Sequence, residues 1–156
     1  MKVCFVTKRL AFGSAITKWS DVERLQEVGI THVINLRKNR HGKKVQQFEW
    51  LWLPFRDDKE PRPRWFYKRA LGFYEHAMEQ RKTRVFVMCR LGICRSASLT
   101  YFLLRSDGKT GLKARTLIRK ARACAQISPA YRESGEMSLG TRVFAAPEPK
   151  HARLEK

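Results

Sequence analysis

The sequence predicts an α/β fold, a mixed central β-sheet covered by helices on both faces as a three-layer sandwich. Three observations carry this. Short runs of β-formers alternate along the chain with longer segments of helical periodicity. One run, Val85-Phe86-Val87-Met88, is apolar at every position, as a strand buried on both faces must be. The segment that follows carries Ala97, Leu99, Tyr101, Phe102, Leu103 and Leu104, apolar nearly all round, as a helix sunk in a core must be.

Val3-Cys4-Phe5-Val6 and Leu10-Ala11-Phe12 read as two short strands with Lys8-Arg9 between them, the second ended by Gly13-Ser14. Ser20-Asp21-Val22-Glu23 has capping-box spacing, with serine as cap and glutamate three residues on. It predicts a helix with Val22, Leu25 and Val28 inward, closed by Gly29. Thr31 to Leu36 is a strand of β-formers, on which His32 is expected to face a neighbouring strand or solvent. Arg37 to Lys44 is a basic run, either a solvated loop or a lip beside a site. Phe48 to Leu53 forms the next strand, stopped by Pro54, and a polar loop follows, stiffened by Pro61 and Pro63.

Pro63-Arg64 opens a long helix to about Gln80. Its core stripe is Phe66, Ala70, Phe73 and Ala77, with Tyr67, Leu71, Tyr74 and Met78 beside it, and His76 is read as structural. Beyond the central strand and helix, Ser106 to Gly111 is a turn. A helix from Leu112 to about Ala125 turns Ala114, Leu117, Ile118 and Ala121 inward. Its outward face is Lys113, Arg115, Arg119, Lys120 and Arg122. Ser128-Pro129 caps a last helix toward Leu139. Residues 1–144 are expected to form one domain, and residues 145–156, without periodicity, a disordered tail.

Composition narrows the classes. A hydrophobic content of 43% excludes a disordered chain. No apolar run approaches the ~20 residues of a membrane span, and Met1 to Leu10 is too short for a secretory signal. Cys4, Cys89, Cys94 and Cys124 without such a signal predict free thiols in a reducing cytoplasm. Cys89 and Cys94 have no second Cys or His pair to complete a metal site. A formal net charge of +19 predicts an anionic partner: a phosphorylated or acidic protein, a phosphoinositide head group, or nucleic acid. No aromatic–basic motif singles out nucleic acid.

The chemistry concentrates between Val85 and Ser98. Strand, tight loop and helix N-terminus are the geometry of an anion site, in which loop N–H groups and the positive end of the helix dipole converge. Cys89 starts the loop and Arg95 closes it. The N–H groups of Arg90, Leu91, Gly92, Ile93 and Cys94 form the expected cradle. A thiol beside such donors and a guanidinium is favoured as its thiolate, the nucleophilic form. Arg95 offers a planar fork that matches two phosphate oxygens. Ser96 can donate to the sulfur when it leaves.

Cys-x5-Arg-Ser with Gly92 at the third loop position resembles the signature of the cysteine-dependent protein tyrosine phosphatases, and the short chain resembles their dual-specificity branch. Pro54-Phe55-Arg56-Asp57 is similar to the family's Pro-x-x-Asp, whose acid protonates the leaving oxygen; Asp58 is the adjacent rival. Lys38-Asn39-Arg40-His41 resembles the phosphotyrosine-recognition loop of the larger members, with His41 where they have tyrosine. Met88 stands where the family usually has histidine, a residue that helps fix the loop and tune the thiolate.

The resemblance implies hydrolysis of phosphate monoesters, phosphotyrosine and also phosphoserine or phosphothreonine, through a phosphocysteine. Cys89, Arg95, Asp57 and Ser96 would be the catalytic residues, and no metal or organic cofactor is implied. Other readings stay open: a phospho-ligand-binding module without turnover, a phosphoinositide- or RNA-directed phosphatase of the same fold, or a nucleic-acid-binding protein. Cys94 either forms a redox disulfide with Cys89 or is simply a small residue in a crowded loop.

Overall fold

Four strands end side by side at one edge of a five-stranded sheet, and the loops that leave them meet there. In chain order the elements are β1 (Val3–Phe5), β2 (Leu10–Gly13), α1 (Trp19–Glu27), β3 (His32–Asn35), β4 (Glu49–Trp52), α2 (Arg64–Glu79), β5 (Val85–Met88), α3 (Arg95–Ser106), α4 (Gly111–Ala121) and α5 (Pro129–Leu139). The computed structural model describes residues 1–41 and 45–140. The expected tail at 145–156, the domain boundary at 144 and residues 42–44 of the basic run lie outside the described residues.

The strand order is β1-β2-β5-β3-β4. Only β1 runs antiparallel to its neighbour; the rest are parallel, with Gly13 and Asn35 both opposite Met88 and Trp52 opposite Asn35. The sheet is therefore mixed, as expected, and the carboxyl ends of its parallel strands form the edge where an α/β fold binds ligands.

β5 divides the core by its own alternation. Val85 and Val87 join Phe12, Ile34, Phe66, Phe102 and Leu103 on the α2–α5 face. Phe86 and Met88 join Val22, Leu25, Val33 and Phe48 on the α1 face. All four are sealed from solvent, which is why the run has no polar position. Each such side chain contributes about 1.5–3 kcal/mol by leaving water.

The helix ends differ from expectation in instructive ways. α1 begins two residues early, at Trp19, and the expected Ser20/Glu23 box is not used. The buried carboxylate of Asp21 reaches back instead, accepting from the N–H groups of Thr17 (2.9 Å) and Lys18 (3.2 Å) and from the Thr17 hydroxyl (3.1 Å). Burial pushes the Asp21 carboxyl up, but these hydrogen bonds outweigh it and hold it below its usual value. The carbonyls at the end of α2 are claimed by a residue of the β1–β2 turn. Arg9 donates to the carbonyls of Gln80 (2.6 Å), Thr83 (2.8 Å) and Met78 (3.4 Å), a cation placed on the negative end of the helix.

α4 stops at Ala121, four residues before the expected end, because the next segment is drawn to the loop after β5. Arg122 is extended and donates to the carbonyl of Leu91 (3.2 Å), and the N–H of Gln126 donates to the carbonyl of Ile93 (2.8 Å). His76 is exposed and sits 3.8 Å from Glu79, so it lies off the core stripe. α5 opens at Pro129 as expected, but the Ser128 side chain makes no capping hydrogen bond among the described residues; its N–H donates to the Ser98 hydroxyl at 3.1 Å. Among the described residues no helix is long and apolar enough to cross a membrane.

Candidate active site

Leaving β5 at Met88, the chain makes a tight loop and enters α3 at Arg95. The loop is fastened to the end of β2. The N–H of Cys89 donates to the carbonyl of Gly13 (3.3 Å), and that of Ala15 to the carbonyl of Arg90 (3.2 Å). Gly92 lies against this same strand end in the left-handed region, with φ +68°. A Cβ there would sit 2.4 Å from the carbonyl carbon of Gly13 and 2.5 Å from the nitrogen of Ser14. Both the conformation and the space require glycine.

With Arg122 and Gln126 on the carbonyls of Leu91 and Ile93, three of the loop's carbonyls are occupied from outside. None of the N–H groups from Arg90 to Ile93 donates to an acceptor among the described residues. The donors so left over, beside the N-terminus of α3, form a candidate nest for an anion with several oxygens.

The sequence-predicted side chains converge on this nest. Cys89 and Ser96 are both buried, the thiol donating to the serine oxygen at 3.3 Å. Arg95 leads into α3, and its Nη1 donates to the carbonyls of Phe55 (3.0 Å) and Leu36 (3.3 Å). The fork is thus aimed by the ends of two other segments. Its Nε is buried and has no partner among the described residues, a donor available to a ligand.

The loop after β4 folds over the same edge. Phe55 packs edge-on to Phe66 and Tyr131, with ring centroids 4.9 and 5.2 Å apart, and this anchors the root of the loop. Farther along, the Tyr131 hydroxyl accepts from the Lys59 N–H (2.8 Å) and lies 3.3 Å from the carbonyl of Arg56 and 3.4 Å from Asp57 Oδ1. The two neighbouring acids are used differently. Asp58 accepts from the Glu60 N–H (3.0 Å) and from Arg62 (2.7 Å), contacts that hold its carboxyl below the usual range. Asp57 carries instead an ion pair with Lys59, whose Nζ also donates to Cys94 Sγ at 3.0 Å. The cation on Asp57 is therefore Lys59, while Arg62 pairs with Asp58.

Met88 is buried on the α1 face, opposite in strand alternation to Cys89, and a thioether gives the loop no donor. It lines a small pocket of about 110 Å³ with Asn35, Arg40, His41 and Trp50. His41 stacks on Trp50, with centroids 4.0 Å apart and planes 7° from parallel. Burial pulls the His41 pKa down, and Arg40 adds to this. Arg37 to Arg40 stand at the carboxyl edge of the sheet, tied there by Asn35, which accepts from the Arg37 N–H and donates to the carbonyl of Asn39 (both 3.0 Å).

Sequence reasoning missed Lys59, Tyr131 and Arg122. Lys59 had a visible signal, a lysine two places after the expected acid. Tyr131 and Arg122 had none, since nothing local ties the last helices to the loops. All four cysteines are free.

The family model for the dual specificity phosphatase catalytic domain matches residues 12–135. The dual specificity protein phosphatase PHS1 of Arabidopsis thaliana is 30% identical over 136 residues, which cover 83% of this chain and 14% of that protein. This chain thus corresponds to a small part of that relative. The crystal structure of DUSP15 superposes with a TM-score of 0.80 at 21% identity, covering 99% of this chain and 95% of the other. That of PTPMT1 in complex with PI(5)P gives 0.74 at 18%, covering 87% and 93%. The two structures share the fold.

Proposed function

The chain belongs to the dual specificity phosphatase family, and from that premise we propose that it hydrolyses phosphate monoesters through a phosphocysteine on Cys89. The observation that carries this is the candidate nest: a buried sulfur at its mouth, N–H donors from Arg90 to Ile93 without acceptors among the described residues, and an arginine whose buried Nε likewise has none there.

In the first step the Cys89 thiolate attacks phosphorus, the S–P bond forms and the ester P–O bond breaks. The Asp57 carboxyl gives its proton to the departing oxygen. Arg95 and the loop N–H groups hold the three phosphoryl oxygens throughout. In the second step water attacks phosphorus and gives its proton to Asp57 as the P–S bond breaks. Ser96 donates its hydroxyl hydrogen to the thiolate that leaves. The separate engagement of Asp58 by Arg62 and Glu60 supports Asp57 as the acid.

Phosphotyrosine is the first substrate class, with phosphoserine and phosphothreonine next. The +19 charge supports an acidic, phosphorylated partner. A phosphoinositide is the second reading, favoured by the fold shared with PTPMT1, whose solved complex holds PI(5)P. Met88, which offers the loop no hydrogen bond, is what favours a third reading, capture of phosphorylated ligands without turnover. The four free thiols support a reducing, cytoplasmic setting.

The test is phosphate release from nitrophenyl phosphate, phosphopeptides and soluble phosphoinositides by the wild type and Cys89→Ser. Turnover by the wild type alone supports the proposal, and the preferred substrate decides the class. Binding of phosphopeptides without release by the wild type would favour the capture reading.

A further inference from the structure

Lys59 is an exposed residue with an unusual backbone and two partners from different parts of the chain. Its φ of +61° lies in the left-handed region, which a side chain rarely adopts without compensation. The compensation is visible: its N–H is held by Tyr131, and its ammonium reaches both Asp57 and the sulfur of Cys94, 35 residues on in the phosphate loop. We propose that Lys59 is a positioning residue for the reaction, tying the acid-bearing loop to the phosphate loop so that Asp57 stands over the nest before substrate arrives. This rests on the phosphatase reading above.

Magnitudes distinguish this role from simple stabilisation. The side chains of Lys59 and Asp57 are 52% and 41% exposed, and an ion pair so wet contributes little to folding. Position is another matter, because a general acid displaced by about 1 Å can lose on the order of 10²-fold in rate. The root of the loop is fixed independently by Phe55, through its ring contacts and the Arg95 bond to its carbonyl. Its tip is joined to the phosphate loop by Lys59 and Cys94. Burial lowers the Lys59 pKa, but its hydrogen bonds to Asp57 and Cys94 outweigh that and hold it above its usual value; the ion pair belongs to the Asp57 carboxylate, and the protonated acid keeps the Lys59 hydrogen bond on its carbonyl oxygen. Cys94 gains a use in the same arrangement: it is the acceptor on which the tip rests.

The experiment compares Lys59→Met, Lys59→Arg and Lys59→Met/Cys94→Ala with wild type on a phosphotyrosine peptide and on nitrophenyl phosphate. Lys59→Met is expected to cut kcat on the peptide by about tenfold or more while leaving KM, and turnover of nitrophenyl phosphate, within about twofold. The arginine variant should recover most of the loss, and the double variant should lose no more than Lys59→Met alone. Equal losses on both substrates, or a loss confined to KM, would overturn the role. Hydrogen exchange of the full chain gives a readout independent of turnover. Lys59→Met should speed exchange in residues 56–60 and leave α2 and α3 unchanged. Unchanged exchange at the loop would overturn the inference, whereas an inactive wild type with the expected exchange would overturn only the phosphatase reading.

Discussion

The hydroxyl oxygen of Ser96 lies 3.3 Å from the sulfur of Cys89, with both side chains buried. In the proposed cycle this contact matters most when the thiolate leaves phosphorus. Ser96→Ala should therefore slow hydrolysis of the phosphocysteine more than its formation. A hydrogen bond to a charged group is worth about 1.5–3 kcal/mol, on the order of 10- to 100-fold in kcat. Stopped-flow release of nitrophenolate should then show a burst followed by a slow steady state. A uniformly slower reaction with no burst would place the role of Ser96 in the first step.

Asp57 and Asp58 are adjacent, yet only Asp57 is joined to the phosphate loop through Lys59. Asp57→Asn should reduce turnover of phosphopeptides by about 10²–10⁴-fold and that of nitrophenyl phosphate far less, because nitrophenolate departs without a proton. Asp58→Asn releases Arg62 and the Glu60 N–H, exposed contacts of small value, and should leave both measures within about twofold. The reverse ranking in kcat would make Asp58 the acid.

Gly92 is the test of the nest. An alanine there must adopt φ +68° and place Cβ 2.4 Å from the Gly13 carbonyl carbon. The left-handed conformation alone costs about 1–2 kcal/mol, and the clash is with backbone that cannot rotate away. Gly92→Ala should lower the melting temperature and abolish tungstate or phosphate binding measured by calorimetry. Wild-type affinity for the anion in this variant would show that the loop N–H groups do not form the cradle.

Stability should fall in mild acid because of His32. Its imidazole is buried, 3.1 Å from Glu49 and 2.8 Å from the Thr31 hydroxyl. Burial disfavours the imidazolium more than Glu49 favours it, so its pKa in the fold lies below the ordinary 6.5. The unfolded chain then binds the proton more readily. The His32 contribution is fully present above about pH 6.5 and is lost as pH falls through the folded value. Thermal melts should show His32→Asn losing less stability than wild type between about pH 7 and about pH 5. Equal losses would mean that other groups carry the acid sensitivity.

Local pattern announced the centre of this molecule and not its clasps. Val85 to Met88 is buried on both faces, so its composition named it, and Gly92, Arg95 and Ser96 fall at offsets that a phosphate loop dictates. Asp57, the proposed acid, comes from the resemblance of Pro54-Phe55-Arg56-Asp57 to the family's Pro-x-x-Asp. What escaped depends on approach between distant segments. The last turn expected of α4 is missing because Arg122 and Gln126 bind loop carbonyls. Asp21 supplants Ser20 and Glu23 because it is buried where it can reach Thr17 and Lys18. Lys59 finds Cys94, and Tyr131 finds the Lys59 N–H, only once the fold has closed. Periodicity and capping rules read spacing along the chain, and none of these contacts has one.

Rapid quenching in alkaline denaturant, followed by intact-mass spectrometry and peptide mapping, reads a covalent phosphate on Cys89 directly. Mixing Ser96→Ala, where breakdown is slowed, with nitrophenyl phosphate should yield a protein heavier by one phosphoryl group, the label lying on the peptide that contains Cys89. Ser96→Ala carrying Cys89→Ser should remain unlabelled and release no phosphate. Turnover that survives Cys89→Ser, or a phosphoryl label carried by a peptide without Cys89, would rule out the phosphocysteine.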